Sequence, residues 1–292
     1  MKKIICFLVI LFSFVFLTGC NENENDNIPN DNPSSEKIPN NNLPDDDNKE
    51  EAEFQIITTV SNGYSLSGDT YTFTKPGEYK VRGILNGTLF FAANIADSVL
   101  LYLDGVTITA KNNHAIYWAS ENGKIEIKTT EGSVNTIKAV ANGSKVYSAI
   151  ESENNIEIGG SGTLNIIGSQ RHAVKGSNIT IKGNSKIDIK AIKDGLHGKH
   201  ILFTGSETTI HECTDAIQAE VNSSNLKGTI VVEGGTLTIN NCKRAFRADV
   251  SVTINKVNSD ITIKVNNADV LYETPSFNYK SGTLLVNGKA YK

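Results

Sequence analysis

Short stretches of alternating apolar and polar residues recur along most of the chain, and glycine-rich turns separate them. One such unit contains the strand Ile179–Ile181, a turn at Gly183, the strand Ile187–Ile189 and then the pair Gly195–Leu196. Alternation over so few residues is typical of half-buried β-strands, and glycine is typical of the tight turns between them. The pattern therefore predicts an all-β fold of short strands.

A small residue followed by an apolar one ends each unit and sets the period of the repeat. The small residues are Ala115, Ala149, Ala173, Gly195, Ala216 and Ala245, at intervals of 34, 24, 22, 21 and 29 residues. The longer intervals contain polar insertions near 139–145 and 221–227. A base period of 21 to 24 residues is too short for a strand–helix unit of a parallel sheet, and the consensus of leucine-rich repeats is missing. We predict a single-stranded, right-handed parallel β-helix (a solenoid) over 54–292, with end caps at about 54–97 and 266–292.

Composition agrees with this fold and excludes several others. Hydrophobic residues make up 39% of the 292 positions, Gly contributes 24, and Met and Trp occur once each. A composition rich in Gly, Asn, Thr, Ile and Val favours strands and turns. It excludes a helical bundle, a coiled coil and a multi-span membrane protein.

The N-terminus has the pattern of an export signal. Lys2 and Lys3 precede an apolar run from Ile4 to Leu17, which is short for a transmembrane anchor, and Cys20 follows Gly19. The segment Leu17–Cys20 resembles the lipobox of bacterial lipoproteins. That resemblance implies removal of residues 1–19, lipid attachment to Cys20, and an extracytoplasmic protein anchored to the cell membrane.

The formal charge of −4 averages unlike parts of the chain. Residues 20–53 contain 11 acidic residues and two lysines and almost nothing apolar, which predicts a disordered acidic tether. Residues 54–292 then carry about +3. So small a positive charge, without interleaved aromatic residues, gives no support for nucleic acid as a partner.

Stacked coils would align side chains in columns about 4.8 Å apart from coil to coil. The column just before the small residues reads His114, Ser148, His172, Asp194, Asp215 and Arg244. Asp194 and Asp215 would lie on neighbouring coils, where two bare carboxylates repel and a Ca²⁺ ion relieves the repulsion. The alternative is that both are turn residues with Arg244 as their ion-pair partner.

Basic residues flank this carboxylate pair in neighbouring columns, as a polyanion whose carboxylates repeat along its length would require. The column three residues later reads Tyr117, Glu151, Lys175, His197, Gln218 and Arg247. The alternative is a solvated face of mixed charge. The candidate ligand-binding residues are Arg171, Lys175, Lys193, His197, Lys199, Lys243, Arg244 and Arg247.

Two further pairs have ambiguous roles. Cys213 and Cys242 occupy one column on adjacent coils, where a disulfide and two stacked thiols are both compatible with the spacing. Tyr117 and Trp118 could form a platform for a sugar ring or pack in the core.

Several motifs in the repeat match one known family. The turns Lys193–Lys199 and Thr214–Ile217, the strand entry Gly160–Leu164 and the coil Leu100–Tyr117 resemble those of bacterial surface lipoproteins with a calcium-dependent, polygalacturonate-binding β-helix domain related to pectate lyases. The resemblance covers about 60–265. Members of that family usually repeat Asp-Gly-Ile over several coils, whereas this chain has Asp in two.

The resemblance implies a cell-surface protein that binds acidic polysaccharide of the pectin type with Ca²⁺, and we expect this protein to be a monomer. Two alternatives remain open at this point, namely a polysaccharide lyase-like enzyme and a purely structural or adhesive solenoid. Related lyases remove a proton next to a carboxylate with a Lys or Arg base, and Lys193 and Lys199 adjoin the candidate site.

Overall fold

The alternation of apolar and polar residues places every second side chain in the interior of a stack of coils. In the computed structural model, which describes residues 52–140, 146–169, 171–221 and 226–292, Ile125, Ile156, Ile179 and Ile201 are paired in register on successive coils and fully buried. Burial of each of these side chains contributes about 1.5–3 kcal/mol of apolar transfer free energy, so each coil stabilises its neighbours.

Each coil contributes strands to three parallel faces, and we number the strands in chain order. Face 1 contains β4 (Gly77–Leu85), β6 (Val99–Lys111), β8 (Lys124–Thr129), β11 (Asn155–Gly160), β14 (Asn178–Ile181), β17 (His200–His211), β19 (Thr229–Asn240), β21 (Ser251–Ile254) and β24 (Phe277–Tyr279). The long strands β4, β6, β17 and β19 bend and continue into face 2. Face 2 also contains β9 (Val134–Val140), β12 (Thr163–Gly168), β15 (Lys186–Ala191), β22 (Ile261–Asn266) and β25 (Thr283–Val286).

Face 3 forms a separate sheet and contains the columns predicted from the repeat. Its strands are β3 (Thr70–Phe73), β5 (Thr88–Phe91), β7 (Ile116–Trp118), β10 (Ile150–Ser152), β13 (Val174–Lys175), β16 (Asp194–Gly198), β18 (Asp215–Ala219), β20 (Arg244–Ala248) and β23 (Val270–Glu273). All of these neighbours pair in parallel, which confirms the predicted all-β, parallel β-helix. No helix among the described residues is long and apolar enough to span a membrane.

Glycine is required where one face turns into the next. Gly160 has φ 111°, and a Cβ added there would lie 2.3 Å from the carbonyl oxygen of Thr129 on the preceding coil. A side chain would therefore push two coils apart at this corner.

The end caps are shorter than the sequence predicts. β4 and β5 pair in parallel with β6 and β7, so Gly77–Phe91 already belongs to a coil, and β23 to β25 continue the three faces at the other end. The antiparallel strands that end the stack are β1 (Gln55–Ile57), β2 (Tyr64–Ser67) and β26 (Lys289–Ala290). The predicted signal peptide, Cys20 and nearly all of the predicted tether lie outside the described residues.

A disulfide joins two adjacent coils beside face 3. Cys213 and Cys242 are bonded, with their Cα atoms 4.7 Å apart. Of the two alternatives that the shared column allows, a disulfide and two stacked thiols, the structure contains the disulfide.

Candidate functional site

Strand pairing in face 3 aligns the side chains in the register that the sequence predicts. Asp194 is paired with Asp215 and Asp215 with Arg244, in what we call the Asp194 column. The column three residues later, which we call the Lys175 column, contains Phe90, Tyr117, Glu151, Lys175, His197, Gln218, Arg247 and Glu273. Both columns run along the stack, parallel to its long axis.

Asp215 is the acceptor in a buried ion pair. Only 1% of the residue is exposed. Arg244 donates from Nε to Oδ1 at 2.5 Å and from Nη2 to Oδ2 at 2.9 Å, and Nη1 of Arg247 lies 3.5 Å from Oδ2. The hydrogen bonds to Asp215 raise the pKa of Arg244. Both carboxylate oxygens are therefore occupied by guanidinium groups.

Asp194 is equally buried, but its neighbours are imidazoles. Its Oδ2 lies 2.9 Å from Nδ1 of His172 and 3.0 Å from Nδ1 of His197. Burial by itself would raise the pKa of Asp194, but the two imidazoles outweigh burial and hold the pKa well below its ordinary value. Burial also lowers the pKa of His172.

These partners do not fit a calcium site shared by Asp194 and Asp215. Calcium takes six to eight oxygen ligands, whereas Arg244 occupies the oxygens of Asp215 and two nitrogens face Asp194. The mutual repulsion that motivated the calcium prediction is relieved by protein groups instead. Of the two aspartates, Arg244 pairs with Asp215 and not with Asp194, so the ion-pair alternative holds for one of the two carboxylates.

A third buried carboxylate, Glu151, lies in the Lys175 column. Its Oε1 accepts a hydrogen bond from Nζ of Lys175 at 2.7 Å, and its Oε2 accepts one from Oγ of Ser148 at 2.9 Å. Burial favours a raised pKa for Glu151, but Lys175, His114 and Ser148 lower it below its ordinary value. The sequence placed Glu151 in this column without giving it a role.

The predicted ligand-binding cations fall into three sets. Arg244 and Arg247 neutralise Asp215 and also approach Glu273. A second set, Arg171, Lys193 and Lys243, lies at the start of face 3 on successive or nearby coils and has no salt bridge to another described residue. The third set, Lys175, His197 and Lys199, lines a groove.

This groove follows the turn from face 3 to face 1 and has a volume of about 440 Å³. Its lining residues are Ser152, Glu153, Lys175, Gly176, Ser177, His197, Gly198, Lys199, Glu220 and Val221. A second cavity of about 400 Å³ shares Ser177 and Lys199 with it and adds Lys227. Within the described part of the chain, Lys199 forms no salt bridge, and the carboxylates that line the groove with it are those of Glu153 and Glu220.

Aromatic side chains extend the Lys175 column toward the N-terminal end of the stack. Half-buried Tyr117 lies 5.6 Å from Phe90 between ring centroids, and its hydroxyl donates to Oε1 of Glu153 at 2.9 Å. Burial and Glu153 raise the pKa of Tyr117 to about 12. Trp118 is fully buried and belongs to the core. Sequence reasoning missed Phe90 because it assigned that segment to a cap.

Comparisons with known proteins agree with this architecture. The polysaccharide lyase-like protein from C. thermocellum, solved as a gadolinium derivative, matches with a TM-score of 0.66 and 26% sequence identity, over 78% of this chain and 93% of that one. No curated protein matches the chain significantly.

The family model described as "carbohydrate-binding domain-containing protein" matches residues 67–288. That range begins just before β3 and ends just after β25, so it contains both columns and the groove. The match covers most of the length of this chain, so the chain belongs to the family of carbohydrate-binding domain-containing proteins.

Proposed function

We propose that the protein binds an extended acidic polysaccharide of the polygalacturonate type along face 3 and its groove. The observation that carries the proposal is that Lys199, which has no salt bridge to another described residue, lines both cavities beside the Lys175 column. Membership of the carbohydrate-binding family supports the polysaccharide, and the cations support its acidic character.

The coil spacing suits a polymer with repeating charges. Equivalent positions recur about every 4.8 Å along the stack, so an extended chain lying parallel to the axis meets similar groups on successive coils. Lys175 and Lys199 belong to adjacent coils, where Lys199 can contact one uronate carboxylate and Lys175, whose Nζ also donates to Glu151, can contact the next. Tyr117 and Phe90 offer half-exposed ring faces for the apolar side of a sugar ring.

The proposal includes a lipid anchor at Cys20 and a location outside the cytoplasm. Cys20 lies outside the described residues, so both parts rest on the sequence pattern at Leu17–Cys20. The Cys213–Cys242 disulfide suits an oxidising compartment. Calcium bound by Asp194 and Asp215 is left out, because their partners do not fit that ion.

Isothermal titration of the chain with oligogalacturonate and with a neutral glucan of equal length tests the proposal. We expect binding of the acidic ligand alone, weakened by added salt and retained in EDTA. Lys199→Ala should weaken it about five-fold, as expected for loss of one partly exposed charge contact. Lys264→Ala is the matched control, because Lys264 is an exposed lysine on face 2.

Absence of binding, or equal effects of the two lysine substitutions, would contradict the proposal. Binding that EDTA abolishes and Ca²⁺ restores would instead support a calcium-dependent site. The second candidate function is a lyase-like elimination, which the likeness to the polysaccharide lyase-like protein from C. thermocellum favours. The unsaturated product of such an elimination absorbs ultraviolet light. Rising ultraviolet absorbance during incubation with the polysaccharide would therefore show that the protein is a lyase and not a binding protein without turnover.

A further inference from the structure

Three side chains of metal-ligating type converge between two coils of face 3. Nδ1 of His172 and Nδ1 of His197 each lie within 3.0 Å of the same oxygen, Oδ2 of Asp194. The ligand atoms of all three residues lie within 4.8 Å of one another, and they form the one such group among the described residues.

Several polar atoms of this cluster have no hydrogen-bond partner in the described structure. His172 is fully buried, yet neither ring nitrogen makes a hydrogen bond, because the approach of Nδ1 to Asp194 lacks hydrogen-bond alignment. Oδ1 of Asp194 is also buried and unpartnered. Leaving a buried polar group unsatisfied costs about 1–3 kcal/mol, so three such atoms in one cluster call for a further partner such as a water molecule or an ion.

The spacing of the three atoms suits coordination. Bonds from zinc to imidazole nitrogen and carboxylate oxygen are about 2.0–2.2 Å long, and two such bonds meeting at the tetrahedral angle place their ligand atoms about 3.4 Å apart. The Nδ1–Oδ2 separations are 2.9 and 3.0 Å, so each pair of ligand atoms would move apart by about 0.4–0.5 Å around an ion. The two imidazole rings stack with centroids 4.2 Å apart, which brings both Nδ1 atoms to the same carboxylate.

The surroundings of His197 add an outer partner and a route for entry. Its second nitrogen, Nε2, lies 3.7 Å from Oε2 of Glu220, and a ligating histidine commonly faces a carboxylate with its other nitrogen. The side chain of His197 is 14% exposed and lines the groove. An ion could therefore enter from the groove and keep one position open to water or to a ligand carboxylate.

We propose that His172, Asp194 and His197 form a binding site for a divalent transition-metal ion of the zinc class. Two imidazole nitrogens and one carboxylate oxygen suit Zn²⁺, Co²⁺ or Ni²⁺, whereas Ca²⁺ and Mg²⁺ prefer oxygen ligands. Lys193 adjoins His172 and places a positive charge near the site, while Glu220 supplies a negative one. This site is independent of the polysaccharide proposal, because its ligands bind the ion without a glycan.

Titration of the full chain with Zn²⁺ alone, and separately with Ca²⁺ alone, tests the site without any polysaccharide. We expect one zinc ion bound through these residues and no comparable calcium binding. His197→Gln should weaken zinc binding at least ten-fold. His211→Gln should leave it unchanged, because His211 forms the matched His–Asp pair, with Asp188 at 2.8 Å, on face 2.

Co²⁺ gives a second readout through its visible absorption. Four-coordinate binding at this site should intensify the bands relative to Co²⁺ in water in the wild-type chain and in His211→Gln, but not in His197→Gln. Glu220→Gln leaves all three ligand residues in place. If Glu220 orients His197, this substitution should weaken zinc binding several-fold. Thermal unfolding confirms that each variant is folded. Absence of zinc binding, equal binding by His197→Gln and wild type, or a preference for Ca²⁺ would overturn the proposal.

Discussion

Replacing Asp215 by Asn tests whether this carboxylate holds the stack together rather than binding an ion. Asp215 is 1% exposed, and the Arg244 side chain that clamps both of its oxygens is 17% exposed. Removing one partner of a buried ion pair costs about 3–5 kcal/mol. Asn keeps one acceptor oxygen, and Glu273 remains 3.1 Å from Arg244, so we expect a loss of about 2–3 kcal/mol in the free energy of unfolding.

Denaturant unfolding followed by the fluorescence of Trp118 measures this loss. Trp118 is the chain's single tryptophan and is fully buried, so its emission reports on the core. Asp188→Asn is the matched control, since its half-exposed ion pair with His211 should contribute under about 1 kcal/mol. In the double variant with Arg244→Gln, the second substitution should cost less than it does alone. The reasoning fails if Asp215→Asn is as stable as wild type or no worse than the control.

Three more predictions concern other parts of the stack. Gly195→Ala should destabilise the fold by about 1–3 kcal/mol in denaturant unfolding, because the new Cβ would lie 2.5 Å from Cγ2 of Ile210; unchanged stability would contradict this packing. Reducing the Cys213–Cys242 disulfide, which closes a separation of 29 residues, should cost about 3–4 kcal/mol, and equal melting curves with and without reductant would argue against the bond. Because the pKa of Glu151 is lower in the folded protein than in the unfolded chain, the ionised carboxylate stabilises the fold at neutral pH, and this contribution is lost as the pH falls below about 4. The free energy of unfolding of the wild type should therefore decrease more at low pH than that of Glu151→Gln. Parallel pH profiles of the two proteins would contradict this.

The coil and its register could be predicted because the repeat constrains them twice. The small residue before each apolar position fixes where a coil ends, and alternation fixes which side chains point inward. Those two signals placed Lys175 beside His197 and Asp194 beside Asp215, as the strand pairing confirms. A one-residue error would have turned the buried ladder outward, so the register leaves little freedom.

The N-terminal cap is shorter than predicted because the first coil lacks the small-residue signal, with Thr88 in the place that Ala115 has on the next coil. The core of this coil is aromatic, with Phe91 stacked on Phe73 at 4.4 Å between ring centroids. A period search therefore passes over this coil, although its alternation is intact.

The partners of each carboxylate could not be read from the columns. Asp194 faces two imidazoles, one from the preceding coil and one from three residues later, whereas the Arg244 that faces Asp215 comes from the following coil. The choice depends on side-chain reach and burial, which spacing does not determine. The inferred calcium site assumed bare carboxylates, and the structure pairs each with protein groups.

The measurement that tests the proposed function most directly is a crystal structure of the complex with an oligogalacturonate. We expect sugar density parallel to the stack, beside Lys175 and Lys199, with a ring against Tyr117. Density on face 1 or face 2, or sugar bound across the coils with no contact to Lys199, would contradict it.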